Sequence, residues 1–179
     1  MIKYVALLRG INVGGHKPVK MEELKKAFES LGFQNVKTLL ASGNVLFESP
    51  KMGTDILVKQ IEEKLEQELG YEVGVLLRTK EEIQNLADAN PFKNIELTQK
   101  TRLYVTFLPE KQERDGKIPH ESTGKDFKIV RISASEVCSV LILSADRGTT
   151  DLMSFLEKEF GRKVTTRNWN TISRILKGH

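Results

Sequence analysis

The sequence predicts an α+β protein made of two tandem ferredoxin-like halves. Each half is predicted as a βαββαβ unit with an antiparallel sheet and one extra helix. Short apolar runs alternate with segments of helical periodicity, and this order of elements occurs twice. Two similar junctions, GYEV at 70–73 and GRKV at 161–164, lie 91 residues apart. The chain therefore divides into residues 1–90, with a Gly-rich loop, and residues 100–179, with a TTRNWNT helix start.

In the first half, four apolar runs predict strands at residues 3–8, 36–40, 45–47 and 73–77. Leucine or isoleucine at every fourth position predicts a helix over 54–69, and Gly70 ends it. An apolar stripe predicts an earlier helix over 21–31. Thr79 followed by Glu82 forms a capping-box pattern, which indicates the start of a further helix.

In the second half, apolar runs predict strands at residues 103–108, 127–132, 137–143 and 164–166. The polar segment 109–124 contains glycine and proline and is predicted as a loop. Helical periodicity predicts a helix over 150–160, which Gly161 ends, and a last helix over 168–176. Arg78 and Arg167 then lie at corresponding strand ends.

Composition narrows the class of protein. The 179 residues are 39% apolar and 29% charged, which is typical of a folded globular chain. No apolar run approaches the ~20 residues that span a bilayer, and the N-terminus lacks a signal-peptide pattern. The one cysteine, Cys138, lies in an apolar run and is predicted to be buried. We therefore expect a cytoplasmic protein without membrane contact, and no residue cluster has the spacing of a metal site.

A long Gly-rich loop follows the first predicted strand. It runs to about a dozen residues, where such loops usually have about 2–6. Its glycines, among them Gly14 and Gly15, let several backbone N–H groups face one point, and Arg9 adds a positive charge. The loop also contains Asn12. This combination favours an anion, although neither G-x-x-x-x-G-K-[ST] nor G-x-G-x-x-G is present. The alternative is a surface loop that needs its glycines to turn.

Two further polar stretches are candidates. Ser42 and Asn44 flank a glycine at a predicted hairpin tip, where they either form a β-turn or offer polar groups to a ligand. Arg167 precedes the last helix and could present a bidentate fork to phosphate or carboxylate. Asn168 next to it is a good N-cap, so capping of the helix and packing are the alternative interpretation.

These motifs carry a family resemblance. ALLRGINVGG at 6–15, SGNV at 42–45 and TTRNWNT at 165–171 together resemble the bacterial domain-of-unknown-function 1697 family, over Tyr4 to Leu176. The resemblance implies an α+β protein without an established activity, so it assigns no catalytic residue and no cofactor. It implies that the family's own motif positions are occupied by Arg9, Asn12, Gly14, Gly15, Ser42, Asn44, Arg167 and Asn168.

The leading hypothesis is a site for a small anionic ligand that bears a phosphate or carboxylate group. It would be formed by the Gly-rich loop and the strand-end arginines, so the three motifs are expected to converge. A nucleic-acid-binding protein is the first alternative, but only 7% of residues are aromatic and no strand shows the basic, aromatic motif of RNA-binding sheets. A protein-interaction module is the second. The sequence assigns neither a reaction nor an oligomeric state.

Overall fold

The computed structural model describes residues 1–12, 18–39, 42–109, 126–143 and 150–178. These residues form eight strands and five helices. The elements, in chain order, are β1 (Ile2–Leu8), α1 (Met21–Ser30), β2 (Gln34–Leu39), β3 (Asn44–Ser49), α2 (Thr54–Leu69), β4 (Val75–Thr79), α3 (Lys80–Asp88), β5 (Thr101–Phe107), β6 (Phe127–Ile132), β7 (Glu136–Ile142), α4 (Thr150–Phe160), β8 (Thr165–Asn168) and α5 (Trp169–Lys177). Most of the predicted loop 109–124, together with Gly14 and Gly15, lies outside the described residues.

The first sheet contains four strands in the order β2-β3-β1-β4, and every neighbouring pair is antiparallel. Alternate residues of β1 point to opposite faces. Tyr4, Ala6 and Leu8 pack in the core with α1 and α2, whereas Val5 and Leu7 are buried on the other face. Both faces of the central strand are therefore buried.

Aromatic rings and the apolar stripe of α2 fill the core of this sheet. Phe47 of β3 stacks on Phe33 with ring centroids 4.4 Å apart and meets Phe28 of α1 edge-on at 5.5 Å. Leu57, Ile61 and Leu65 of α2 are buried, and Leu69, at the end of that stripe, is partly buried. Burial of one such side chain stabilises the fold by ~1.5–3 kcal/mol. The predicted stripe at every fourth residue is thus the face that packs.

The second sheet repeats this arrangement in the order β6-β7-β5-β8, again with antiparallel neighbours throughout. Helix α4 packs on it through Leu152, Leu156 and Phe160, against Ile129 of β6 and Val137 of β7. The two sheets therefore have the same strand order. In each sheet the last strand in chain order, β4 or β8, lies beside the first, β1 or β5.

The helices α2 and α4, which pack on the two sheets, also end in the same way. Gly70 has φ +78° and donates its N–H to Glu66 O at 2.9 Å, and Gly161 has φ +90° and donates to Glu157 O at 2.9 Å. Only glycine adopts this left-handed conformation without strain, so both glycines end their helices as predicted.

The last strand differs from its prediction. It was expected over 164–166, with Arg167 beyond its end, but β8 runs from Thr165 to Asn168 and includes Arg167. Arg167 pairs with Val105 of β5, and this backbone pairing extends the strand. The last helix accordingly begins at Trp169.

The chain divides into two compact units, Met1–Asn85 with Ser173–His179, and Leu86–Ile172. The final turns of α5 thus belong to the unit of the first sheet. The halves 1–90 and 100–179 stay a prediction. In the part of the chain that is described, no helix is long and apolar enough to cross a membrane.

Candidate functional site

The end of β1 lies between two neighbouring chain segments. The N–H of Leu8 donates to Gly43 O at 2.8 Å, and the N–H of Arg9 donates to Gly74 O at 2.9 Å. The first of these bonds ties β1 to the hairpin tip, and the second ties it to the residue before β4. The backbone of Arg9 is therefore fixed at this edge of the sheet, which we call the loop edge (residues 8–12, 42–44 and 74).

The guanidinium of Arg9 reaches over Gly74. A Cβ atom on residue 74 would lie 3.4 Å from Arg9 Nε, which is van der Waals contact distance, so the side chain of Arg9 lies directly beside residue 74. Arg9 is exposed, and its guanidinium has no hydrogen bond or ion pair among the described residues. The planar fork of donors therefore remains available to a ligand.

Asn12 closes the Gly-rich loop. Its backbone is left-handed at φ +53°, a conformation that asparagine tolerates better than most residues. Its Nδ2 donates to Val19 O at 3.1 Å, and its Oδ1 accepts from Val19 N at 2.7 Å. The amide thus joins the two ends of the loop, whose middle, residues 13–17, lies outside the described ranges.

Gly43 packs the hairpin tip against the opening motif. It is buried with φ +74°, and a Cβ there would lie 2.7 Å from Ile11 Cδ1 and 2.9 Å from Leu8 Cβ. No larger residue fits without displacing one of these side chains. The structure therefore brings together two of the three sequence motifs.

Asn44 and Ser42 shape the same turn. Asn44 is completely buried, and its Nδ2 donates to Leu39 O and to Ser42 Oγ, both at 3.0 Å. Ser42 is exposed, and while its oxygen accepts this bond its hydroxyl proton can still be donated outward. Asn44 is consequently a positioning residue, and Ser42 is the group that faces solvent.

Arg167 has a different environment from Arg9. It is buried, and its Nη1 donates to Thr165 Oγ1 at 2.8 Å and to Thr166 O at 3.0 Å. Burial lowers the pKa of Arg167 to about 10, so the guanidinium stays charged at neutral pH. The Nη1 atom of Arg167 is therefore engaged by two residues of its own strand, β8.

The first sheet contains a counterpart of Arg167. Arg78 pairs with Val5 as Arg167 pairs with Val105, and its Nη1 likewise donates to the preceding carbonyl, Leu77 O, at 2.8 Å. The two arginines predicted to correspond therefore do so in strand position and in one hydrogen bond.

After Arg167, Asn168 ends β8 and Trp169 begins α5. Asn168 Oδ1 accepts from Asn170 N at 2.9 Å, which is the hydrogen bond of an N-cap. Trp169 meets Phe92 edge-on, with ring centroids 5.1 Å apart. Capping and packing thus occupy these two side chains. Arg9 and Arg167 belong to different units, and their convergence stays a prediction.

The cysteine is buried, as predicted. Cys138 is completely buried, and burial raises the pKa of its thiol to about 12, while Arg131 lowers it and Glu136 raises it to smaller extents. A thiol in this state does not act as a nucleophile at neutral pH. Across the described ranges, no group of three histidine, cysteine, aspartate or glutamate side chains could hold a metal ion.

Sequence reasoning missed a second feature of the first sheet, a cavity of about 300 Å³ lined in part by Lys3, Lys37, Lys80 and Lys177. These lysines come from four different elements. No motif joins them, and the sequence indicates only that Lys3 and Lys37 lie on predicted strands.

Comparison with known proteins supports the family assignment. The family model for proteins of unknown function DUF1697 matches residues 1–136, which confirms the predicted family. A solved structure, that of a conserved bacterial protein from Streptococcus pneumoniae, is similar with a TM-score of 0.72 and 22% identity, and the match covers 98% of this chain and 97% of that one. At this identity the likeness shows a shared fold. No curated protein sequence matches the chain.

Proposed function

The chain belongs to the DUF1697 family of proteins of unknown function, and we propose that it binds a small ligand carrying a phosphate or carboxylate group at the loop edge. The observation that carries this proposal is the exposed guanidinium of Arg9. It lies over Gly74 and has no partner among the described residues. A charge-assisted, bidentate contact from such a fork is among the stronger hydrogen bonds that a protein offers an anion.

The other motif residues have distinct roles in this proposal. Ser42 donates its hydroxyl to the ligand, while Asn12 and Asn44 hold the two turns that flank β1. Gly14 and Gly15 lie outside the described residues, and their part in the proposal rests on the sequence, since glycine-rich turns present backbone N–H groups at anion sites. Arg167 and Asn168 belong to the other unit, and their part in ligand binding stays a prediction of the sequence.

The fold proposal is that both sheets are ferredoxin-like. The orders β2-β3-β1-β4 and β6-β7-β5-β8, each antiparallel throughout, support it.

The test is a thermal-shift screen of phosphorylated and carboxylated metabolites. A ligand at 100 times its dissociation constant stabilises the protein by ~2.7 kcal/mol. For a chain of this size, that raises the melting temperature by roughly 5–11 °C. We expect Arg9→Ala to abolish most of the shift.

The matched control is Arg162→Ala, which removes another exposed arginine, one that lies outside the motifs. It should leave the shift unchanged. Equal shifts for wild type and Arg9→Ala with every ligand that binds would refute the loop edge as the site.

A further inference from the structure

The geometry points to a second anion site, separate from the loop edge, on the face of the first sheet that is turned away from α1 and α2. Its ligand would be a small molecule with at least two phosphate charges. The site is the cavity of about 300 Å³ noted above, which we call the lysine groove. This volume is at the lower end of the range of small-molecule pockets.

Strand register places the floor of the groove. Lys3 pairs with Glu48, and Lys37 pairs with Leu46, so these four side chains share one face of the sheet. Phe47, between Leu46 and Glu48, points to the core. The floor is therefore one apolar side chain between charged ones.

Two helices add charge at the rim. Lys80 is the first residue of α3 and Lys177 the last of α5, and both line the groove. With Lys3 and Lys37 they make four positive charges around one cavity, against one carboxylate, Glu48, among its lining residues. Like charges gathered in a concave site raise the local concentration of anions.

The one carboxylate is already engaged. Glu48 Oε1 lies 3.8 Å from Lys3 Nζ, and Glu48 Oε2 accepts from Asn35 Nδ2 at 3.0 Å. Lys37 and Lys80 have no ion pair in the part of the chain that the structure describes. A ligand with two negative charges would supply the partner that these two ammonium groups lack.

The lining favours a small molecule over a single-stranded nucleic acid. Proteins that bind single strands stack bases on exposed aromatic rings. The aromatic residues at this groove, Tyr4 and Phe47, are 4% and 1% exposed, so they offer no stacking surface.

The test is calorimetric titration with inorganic pyrophosphate, in an Arg9→Ala background so that the loop edge does not contribute. We expect saturable binding, weakened about fivefold by Lys37→Ala with Lys80→Ala, which corresponds to ~1 kcal/mol shared between two exposed charge pairs. Lys25→Ala with Lys59→Ala removes the same charge from α1 and α2, outside the groove, and should leave binding unchanged. Circular dichroism checks that all variants are folded.

Two results would overturn the inference. Equal weakening in both double variants would show that net charge, not the groove, attracts pyrophosphate. Absence of pyrophosphate binding, together with binding of oligouridine that depends on Lys37 and Lys80, would assign the groove to single-stranded RNA. Because Arg9 is absent in this background, failure here leaves the loop-edge proposal standing.

Discussion

At Gly43, both the lack of space and the backbone conformation disfavour a side chain. Its φ of +74° disfavours any side chain, and a Cβ would also meet Leu8 Cβ at 2.9 Å and Ile11 Cδ1 at 2.7 Å. The Ile11 atom is the end of a flexible side chain, but Leu8 Cβ is fixed to the central strand. The glycine of the SGNV motif is therefore explained by packing at the loop edge, whatever the ligand.

Gly43→Ala should accordingly destabilise the protein by about 2–5 kcal/mol, since a left-handed residue costs ~1–2 kcal/mol and overpacking ~1–3 kcal/mol more. Gly70→Ala is the matched control. Its φ is +78°, but nothing lies within 4 Å of the added Cβ, so only the conformational cost applies. Urea unfolding of both variants measures the difference, and equal losses would show that the contact with Leu8 and Ile11 relaxes freely.

Cys138 gives a second prediction at this scale. Because it is 0% exposed and burial raises its pKa to about 12, the native thiol should resist Ellman's reagent at pH 8 and react only when the chain unfolds in denaturant. The raised pKa also means that the folded state keeps a proton that the unfolded state loses above the ordinary value of 9.0. This contribution to stability is complete below pH 9 and declines toward pH 12. Rapid labelling of the native protein would contradict the burial.

At the scale of elements, the capping box of α3 can be measured. Glu82 N donates to Thr79 Oγ1 at 3.1 Å, and Thr79 N donates back to Glu82 Oε2 at 2.8 Å. Thr79→Ala should therefore cost about 1 kcal/mol of the free energy of unfolding. The N-cap of α2 is Gly53, which has no side chain, and Thr54 is the first residue inside the helix, so Thr54→Ala removes no cap and should have little effect. If both variants lose the same amount, the capping box contributes nothing.

Elements with local signals could be predicted, and those that depend on distant partners could not. The bounds of α2 agree with the prediction because its apolar repeat and its terminal glycine are both local. The end of β8 does not, because Arg167 is held in the strand by Val105, far away in sequence. A charged residue gives no local sign that it will pair in a sheet.

The same distinction applies to the sites. The motifs around Arg9 and Ser42 could be found because each is continuous, but the role of Asn12 depends on its bonds to Val19. The lysine groove had no such signal, since Lys3 and Lys177 meet only through the fold. Sequence patterns identified polar turns, and only the strand order showed which of them share an edge.

At the scale of the whole molecule, the two sheets have one strand order and carry equivalent arginines. Arg78 of the first sheet and Arg167 of the second each bond to a carbonyl of their own strand, whereas the guanidinium of Arg9 is exposed beside Gly74 and has no hydrogen bond among the described residues. This difference is why the account places the ligand at Arg9 and gives Arg167 a supporting role.

The most direct test of that placement is diffraction from a crystal soaked with tungstate, a heavy mimic of phosphate, recorded at a tungsten absorption edge. The account predicts an anomalous peak at the loop edge, with tungstate oxygens ~3 Å from the guanidinium nitrogens of Arg9, and loss of that peak in crystals of Arg9→Ala. Tungstate bound elsewhere while the Arg9 guanidinium remains bare, at a concentration that saturates the thermal shift, would contradict it.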